Sequence, residues 1–246
     1  MYAQYISTFN TEDLKVRKIN NYSKNIPFVN LTTTQNTTFK TDFEEFELKL
    51  KSFPRFSDII AVTVKFFKDS LLENGFPHTV KDYIMLPIDY YFSLSKIDRI
   101  KLLVHEYIHI YQRMYPFEFN HFLIHTLGLQ VHNFVSSSEY QDRKRSNPDI
   151  NNVIYRMIHN KYNIMLYKSN PKTLRDSYIH TGTDMNNNIV INDSNAYSDL
   201  IKHYQGRVNI QNEHPYESLA TVLAYVIITN DVSFKILKDY LFVSNI

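Results

Sequence analysis

The sequence predicts an α+β protein, mainly helical with a small β-sheet, in a single domain over residues 1–246. Three observations carry that reading. Residues 96–114 place Ile100, Val104, Ile108 and Tyr111 three or four apart, an apolar stripe of a helix that can face a core. Pro215 opens a second run in which Leu219, Val222, Leu223, Val226 and Ile227 repeat at helical spacing, and proline suits the first turn of a helix. Tyr83-Ile84-Met85-Leu86-Pro87 reads as a short strand, with Pro87 at its end or on an edge. The length fits one large domain with a shared core, an α/β lobe over 1–115 and a mainly helical lobe over 116–246.

Composition narrows the function. Hydrophobic residues make up 43% and aromatic residues 15%, ample for a core. The net charge of +2 gives no electrostatic case for nucleic acid or an acidic membrane as partner. With 0 Cys, neither a disulfide framework nor a cysteine zinc site can form. The first residues lack a basic stretch followed by a long apolar one, so no signal peptide is expected. No apolar run approaches the ~18 residues of a membrane span, and a cytoplasmic location is the expectation.

The remaining elements follow in chain order. Residues 1–40 read as a polar, Thr/Asn-rich segment with an edge strand at Leu31–Thr34. Residues 44–50 suit a short helix or strand, closed by Pro54. A helix is predicted from Ser57 through Ile59, Ile60, Val64, Phe67, Leu71 and Leu72 to Gly75, on the strength of a good N-cap and a good stop. The strand at 83–87 could offer its edge to an extended substrate. Ser95 and Asp98 cap the next helix, which ends near Met114 or Tyr115 ahead of Pro116. A helix over Phe117–Phe134 carries His121, His125 and His132. Residues 136–145 read as loop or frayed helix, and Asn147-Pro148-Asp149 as a turn. Residues 154–158 and 163–167 suit a hairpin, with a helix as the alternative. Loop is predicted over 170–193, with one strand at Ile189–Ile191. Helices follow over 194–205 and 231–242.

The chemistry lies in His105-Glu106-Tyr107-Ile108-His109. Four residues apart on a helix, His105 and His109 lie one turn apart on the same face and can point at one metal ion. Glu106 then sits beside that ion, where a carboxylate can take a proton from a bound water. With 10 His and 10 Glu in the chain, the pattern arises by chance about 0.02 times. The plain alternative is a helix with two ordinary histidines. Against it, Leu102, His105, His109 and Gln112 form a stripe beside the apolar one, and polar groups on a mostly buried helix are costly without partners. His121 and His125 share the spacing but have no acid paired with them.

Two histidines do not close a catalytic zinc site, which takes three protein ligands. A third histidine ten residues after His105 is absent, since that position is Tyr115. The other source is a carboxylate from a later helix. Glu217 is the candidate ligand, with Glu213 as second choice because it precedes the helix. Ala220 and Ala224 allow the two helices to approach closely.

With His105-Glu106-Tyr107-Ile108-His109 and the later His214-Pro215-Tyr216-Glu217-Ser218-Leu219-Ala220, the chain resembles the gluzincin class of zinc metallopeptidases. It looks most like small zincin-like proteins of large DNA viruses, which would place it in the virion or the host cytoplasm. The resemblance covers the two helices and not the first 80 residues. It implies a zincin-like fold, one Zn²⁺ held by His105, His109 and Glu217, Glu106 as general base, and a protein or peptide substrate. Thermolysin-like members carry an Asp four residues after the ligand glutamate to support a zinc histidine; here that residue is Thr221. Asp149 or Asp199 could take over that support. Tyr155, Tyr197, His203, Tyr204 and His214 are candidates for stabilising the oxyanion. The competing functions are a zinc-binding structural or interaction protein without catalysis and a virion scaffold with a degenerate site.

Overall fold

Thr32 turns the chain into a helix, not a strand. Its hydroxyl accepts the Gln35 N–H at 3.3 Å, and the Gln35 side chain accepts the Thr32 N–H at 3.0 Å. This reciprocal capping overrides the β preference of the threonine run. In the computed structural model, which describes residues 7, 9–17, 28–58, 61–68, 72–132, 138–150, 153–157, 161–183 and 195–243, a short helix α1 (Thr11–Val16) precedes this long helix, α2 (Thr33–Lys51). The expected strand at 31–34 and the short element at 44–50 are both parts of the α2 region.

The helix predicted over 57–75 is not formed. Thr63–Phe67 is a strand, β1, with a single 3₁₀ turn on each side at Pro54–Phe56 and Glu73–Gly75. Two physical reasons decide this. Thr63, Val64, Phe66 and Phe67 are β-branched or aromatic and suit a pleated surface. Glu73, Asn74 and Gly75 all have positive φ (43°, 52° and 80°), a left-handed run that no α-helix contains. Ile59, Ile60 and Leu71 lie outside the described residues.

Strand β1 runs parallel to β3 (Tyr83–Pro87), in register from Thr63 opposite Tyr83 to Phe67 opposite Pro87. Strand β2 (His78–Val80) pairs antiparallel on the other side of β3, and a turn in which Lys81 has φ 58° joins the two. The strand at 83–87 is therefore central, not an edge, and β1 and β2 form the two edges. Its full burial fits that position: Ile84, Met85 and Leu86 are all inaccessible. The chain leaves β3 through α3 (Ile88–Ser93) into α4 (Lys96–Met114). Ser95 caps α4, accepting the Asp98 N–H and donating its hydroxyl proton to the Asp98 carboxylate at 2.6 Å.

Pro116 closes α4 as expected and starts α5 (Pro116–His121), which passes into a π-helical turn at Phe122–Thr126. Gly128, at φ 66°, ends the helical path well short of Phe134, and β4 (Gln130–His132) takes over. A short helix α6 (Ser138–Arg143) follows. Two strands form where the hairpin is predicted, and the Met157 N–H donates to the Lys161 carbonyl between them, but among the described residues the strands do not pair in one ladder. Instead β5 (Ile154–Arg156) pairs antiparallel with β4, and β6 (Lys161–Tyr167) pairs antiparallel with β7 (Ser177–Thr183). Strand β7 occupies part of the predicted 170–193 loop; residues 189–191 lie outside the described residues. Helices α7 (Asn195–Tyr204), α8 (Pro215–Thr229) and α9 (Lys235–Phe242) complete the α+β fold.

Helix α4 is the axis of the core. Leu103, Val104, Tyr107, Ile108 and Ile110 are inaccessible, and Phe46 of α2 meets the Tyr107 ring edge-on at 5.7 Å. Arg99 and Tyr91 both bond to the buried Asp42 of α2 (2.6 and 3.0 Å), which ties α2 to the start of α4. On its other side α4 packs against α8, whose Ala220 and Ala224 have no exposed surface. Leu219, Val222, Leu223, Val226 and Ile227 are buried as their spacing required, each contributing about 1.5–3 kcal/mol before entropy is counted. That packing sets Glu217 of α8 against the polar stripe of α4.

Candidate metal centre

The His105 and His109 rings project from adjacent turns of α4 with their Nε2 atoms 3.1 Å apart. Oε2 of Glu217 lies 3.3 Å from His109 Nε2 and 3.5 Å from His105 Nε2. Ligands at zinc distances in a tetrahedral shell are separated by about 3.3 Å, so the triangle matches the donor spacing of a zinc ion. Among the described residues these three form the one group of His, Cys, Asp or Glu able to hold a metal. Two nitrogens and one carboxylate oxygen are also a donor set that suits zinc.

The orientation of each donor has a cause. Gln112, one turn beyond His109, accepts the His109 Nδ1 proton at 3.0 Å and donates to the Tyr216 carbonyl at 3.0 Å. Placing the proton on Nδ1 leaves the Nε2 lone pair free for a cation. The partner of His109 is thus the buried Gln112 and neither Asp149 nor Asp199, the two expected from the sequence. Asp149 instead accepts the backbone N–H of Thr79 at 2.9 Å as well as its hydroxyl, and Asp199 is exposed. Gln112→Leu is expected to weaken zinc binding about 10–100-fold with the fold retained, measured by chelator competition and circular dichroism.

Asn147 aligns the carboxylate. Its side-chain amide donates to Glu217 Oε1 at 2.7 Å and to Glu213 Oε1 at 2.6 Å. Glu217 is left with Oε2 towards the histidines. Glu213 is held by Arg145 at 2.9 Å and does not join the triad. The Asn-Pro-Asp turn therefore serves the site from both ends, Asn147 on the candidate ligand Glu217 and Asp149 on the edge of β2.

Electrostatics reinforces the geometry. Burial alone would lower the His109 pKa, but the Glu217 charge and hydrogen bond outweigh it and raise it to about 10. Burial would raise Glu217, yet the two imidazoles hold its carboxyl well below the usual range. Burial lowers His105. Three groups so arranged call for one positive charge between them, which a proton or a metal ion can supply. Glu106 is buried next to them, its Oε2 without a hydrogen-bond partner. Burial, followed by the Asp149 charge, pushes its pKa well above the usual carboxylate range.

The site opens into a cleft of about 550 Å³, lined among others by His78, Leu102, Asn147, Thr221 and Ala224. None of the five residues proposed for the oxyanion lines it. Tyr155 donates to Asn120 at 2.7 Å, His203 bonds to Ser233 and Tyr204 donates to the Asp231 carbonyl. Tyr197 is buried in the core. His121 and His125 stack on each other at the exposed surface of α5 and the turn after it.

His214 proves to be the N-cap of α8. Its Nδ1 accepts the Tyr216 N–H at 3.1 Å, and its Nε2–H donates to the Val153 carbonyl at 2.8 Å. Burial lowers its pKa to about 4. The neutral form is thus favoured in the folded state, so its contribution is present above pH ~6.5 and lost as pH falls towards 4. The loss should reach about 3 kcal/mol. In His214→Asn, which keeps a capping group, urea unfolding from pH 7 to pH 4 should show a correspondingly shallower pH slope.

Comparison of the chain with protein-family models, curated proteins and solved structures finds no match.

Proposed function

We propose that the protein is a zinc metallopeptidase of gluzincin type on a zincin-like scaffold, with His105, His109 and Glu217 as ligands and Glu106 as general base. One observation carries this reading: three metal donors converge from two helices beside a buried carboxylate that has an unpartnered oxygen, at the floor of an open cleft. A bound zinc ion would polarise the substrate carbonyl and lower the pKa of water at the site towards ~7. Glu106 accepts the proton of the attacking water and delivers it to the leaving nitrogen. Burial and the Asp149 charge raise its pKa, which favours holding the proton between the attack and its delivery. Gln112 and Asn147 keep His109 and Glu217 aimed while the proton moves.

The test is metal analysis together with hydrolysis of an unfolded protein such as casein, with and without a chelator. Stoichiometric zinc and chelator-sensitive cleavage support the reading. Zinc without cleavage would make the protein a zinc-binding structural module instead. Among the described residues no helix is long and apolar enough to cross a membrane.

A further inference from the structure

The two arginines that line the cleft are already engaged and, among the described residues, its lysine is not. Arg17 is engaged by Asp13 and by Glu73 at 3.0 Å, and Arg145 by Glu213 at 2.9 Å. Lys101 also lines the cleft, is half-buried, and has no hydrogen bond or ion pair among the described residues. It precedes His105 by four residues on the same face of α4, about 6 Å along the helix axis. That distance is one to two residues of an extended chain. Leu94 and Leu102 line the same cleft and strengthen an ion pair formed there by displacing water. A second unpartnered group lines the same cleft. The Thr221 hydroxyl, one turn after Glu217 on α8, lines the cleft, is 6% exposed and has no hydrogen-bond partner.

Elsewhere the cleft is acidic: Glu106, Asp149, Glu213 and Glu217 line it, as do Glu73, paired with Arg17, and Asp98, one turn before Lys101 and bonded to the Ser95 cap. A carboxylate on a bound chain is repelled by these and attracted at Lys101. Repulsion and attraction together would set the register of the chain against the triad.

We propose that Lys101 is a specificity-determining residue that seats a carboxylate of the bound peptide one or two residues from the scissile bond, with the Thr221 hydroxyl as a further donor within the cleft. This rests on the peptidase reading for the word scissile, but the binding it describes does not require turnover. The carboxylate can belong to an acidic side chain or to the end of a chain, and the two sources are separable.

The experiment is calorimetric titration of the Glu106→Gln protein, as purified and zinc-loaded, with capped Ala/Ser hexapeptides. Glu is scanned through the positions with Gln as the neutral counterpart, and the uncharged peptide is also made with a free terminal carboxylate. At one position Glu should bind about tenfold tighter than Gln. The free-acid peptide gains instead if the chain end is the ligand. Lys101→Met should bring the ratio to about one, Lys101→Arg should keep it, and Thr221→Val should reduce it in part. Equal binding of charged and neutral peptides, binding of none, a preference that survives Lys101→Met, or a preference untouched by Thr221→Val would overturn the corresponding assignment. Discrimination without any cleavage by the wild type leaves this inference standing and removes the peptidase reading. Cleavage without discrimination does the reverse.

Discussion

A Glu106→Gln protein is expected to bind zinc as the wild type does and to hydrolyse peptides about 10²–10⁴-fold more slowly. The substitution is nearly isosteric and touches none of the three donors, so the triangle of His105, His109 and Glu217 should persist. What it removes is a buried oxygen with no hydrogen-bond partner, which can accept a proton only as a carboxylate. The protein should also fold at least as well, because a neutral amide avoids the burial and the Asp149 repulsion that push the Glu106 pKa up. The measurement is initial rate per zinc atom, with zinc content determined on the same sample. Hydrolysis near the wild-type rate would take Glu106 out of the base role.

The second large effect concerns Glu217→Ala. At zinc about 1,000 times its dissociation constant, the wild type should gain about 4 kcal/mol of stability from binding. For a chain of this size that corresponds to a melting temperature raised by roughly 8 °C. Glu217→Ala removes one of the three donors and the anion that balances the positive charge beside His109. The zinc-dependent shift should therefore vanish under the same conditions, in differential scanning calorimetry with matched zinc and chelator samples. Asn147 and Glu213 remain in place as an internal control: Glu213→Ala should keep most of the shift, since that carboxylate is turned to Arg145. An undiminished shift in Glu217→Ala would mean that zinc binds elsewhere.

The features legible in the sequence are those governed by local spacing. The i, i+4 relation of His105 and His109 and the apolar stripe beside it are properties of a single helix, and α4 begins and ends where its cap and Pro116 place it. The same holds for α8, whose apolar repeat and Pro215 read correctly. The segment at 63–67 misled because Val64, Phe67, Leu71 and Leu72 also fit a helical period. Its true state depends on β3, a partner some twenty residues away, and on left-handed residues at 73 and 74 that a spacing argument does not sense. At Thr32 a local signal existed, the Thr/Gln capping pair, and the strand preference of threonine obscured it. Gln112 was visible on the polar stripe, but its bond to His109 becomes meaningful only once Tyr216 is alongside. Asn147 was legible only as a turn residue, since both carboxylates it joins lie far along the chain.

The long chain interval between the two helices of the triad has a consequence during synthesis. The ribosome completes the two histidines about a hundred residues before it adds Glu217, a delay of roughly 5–20 s at ordinary elongation rates. Throughout that interval the growing polypeptide carries a half-built centre that cannot be closed by its own atoms. Any activity the centre would confer is thereby withheld from the nascent chain until Glu217 has been added.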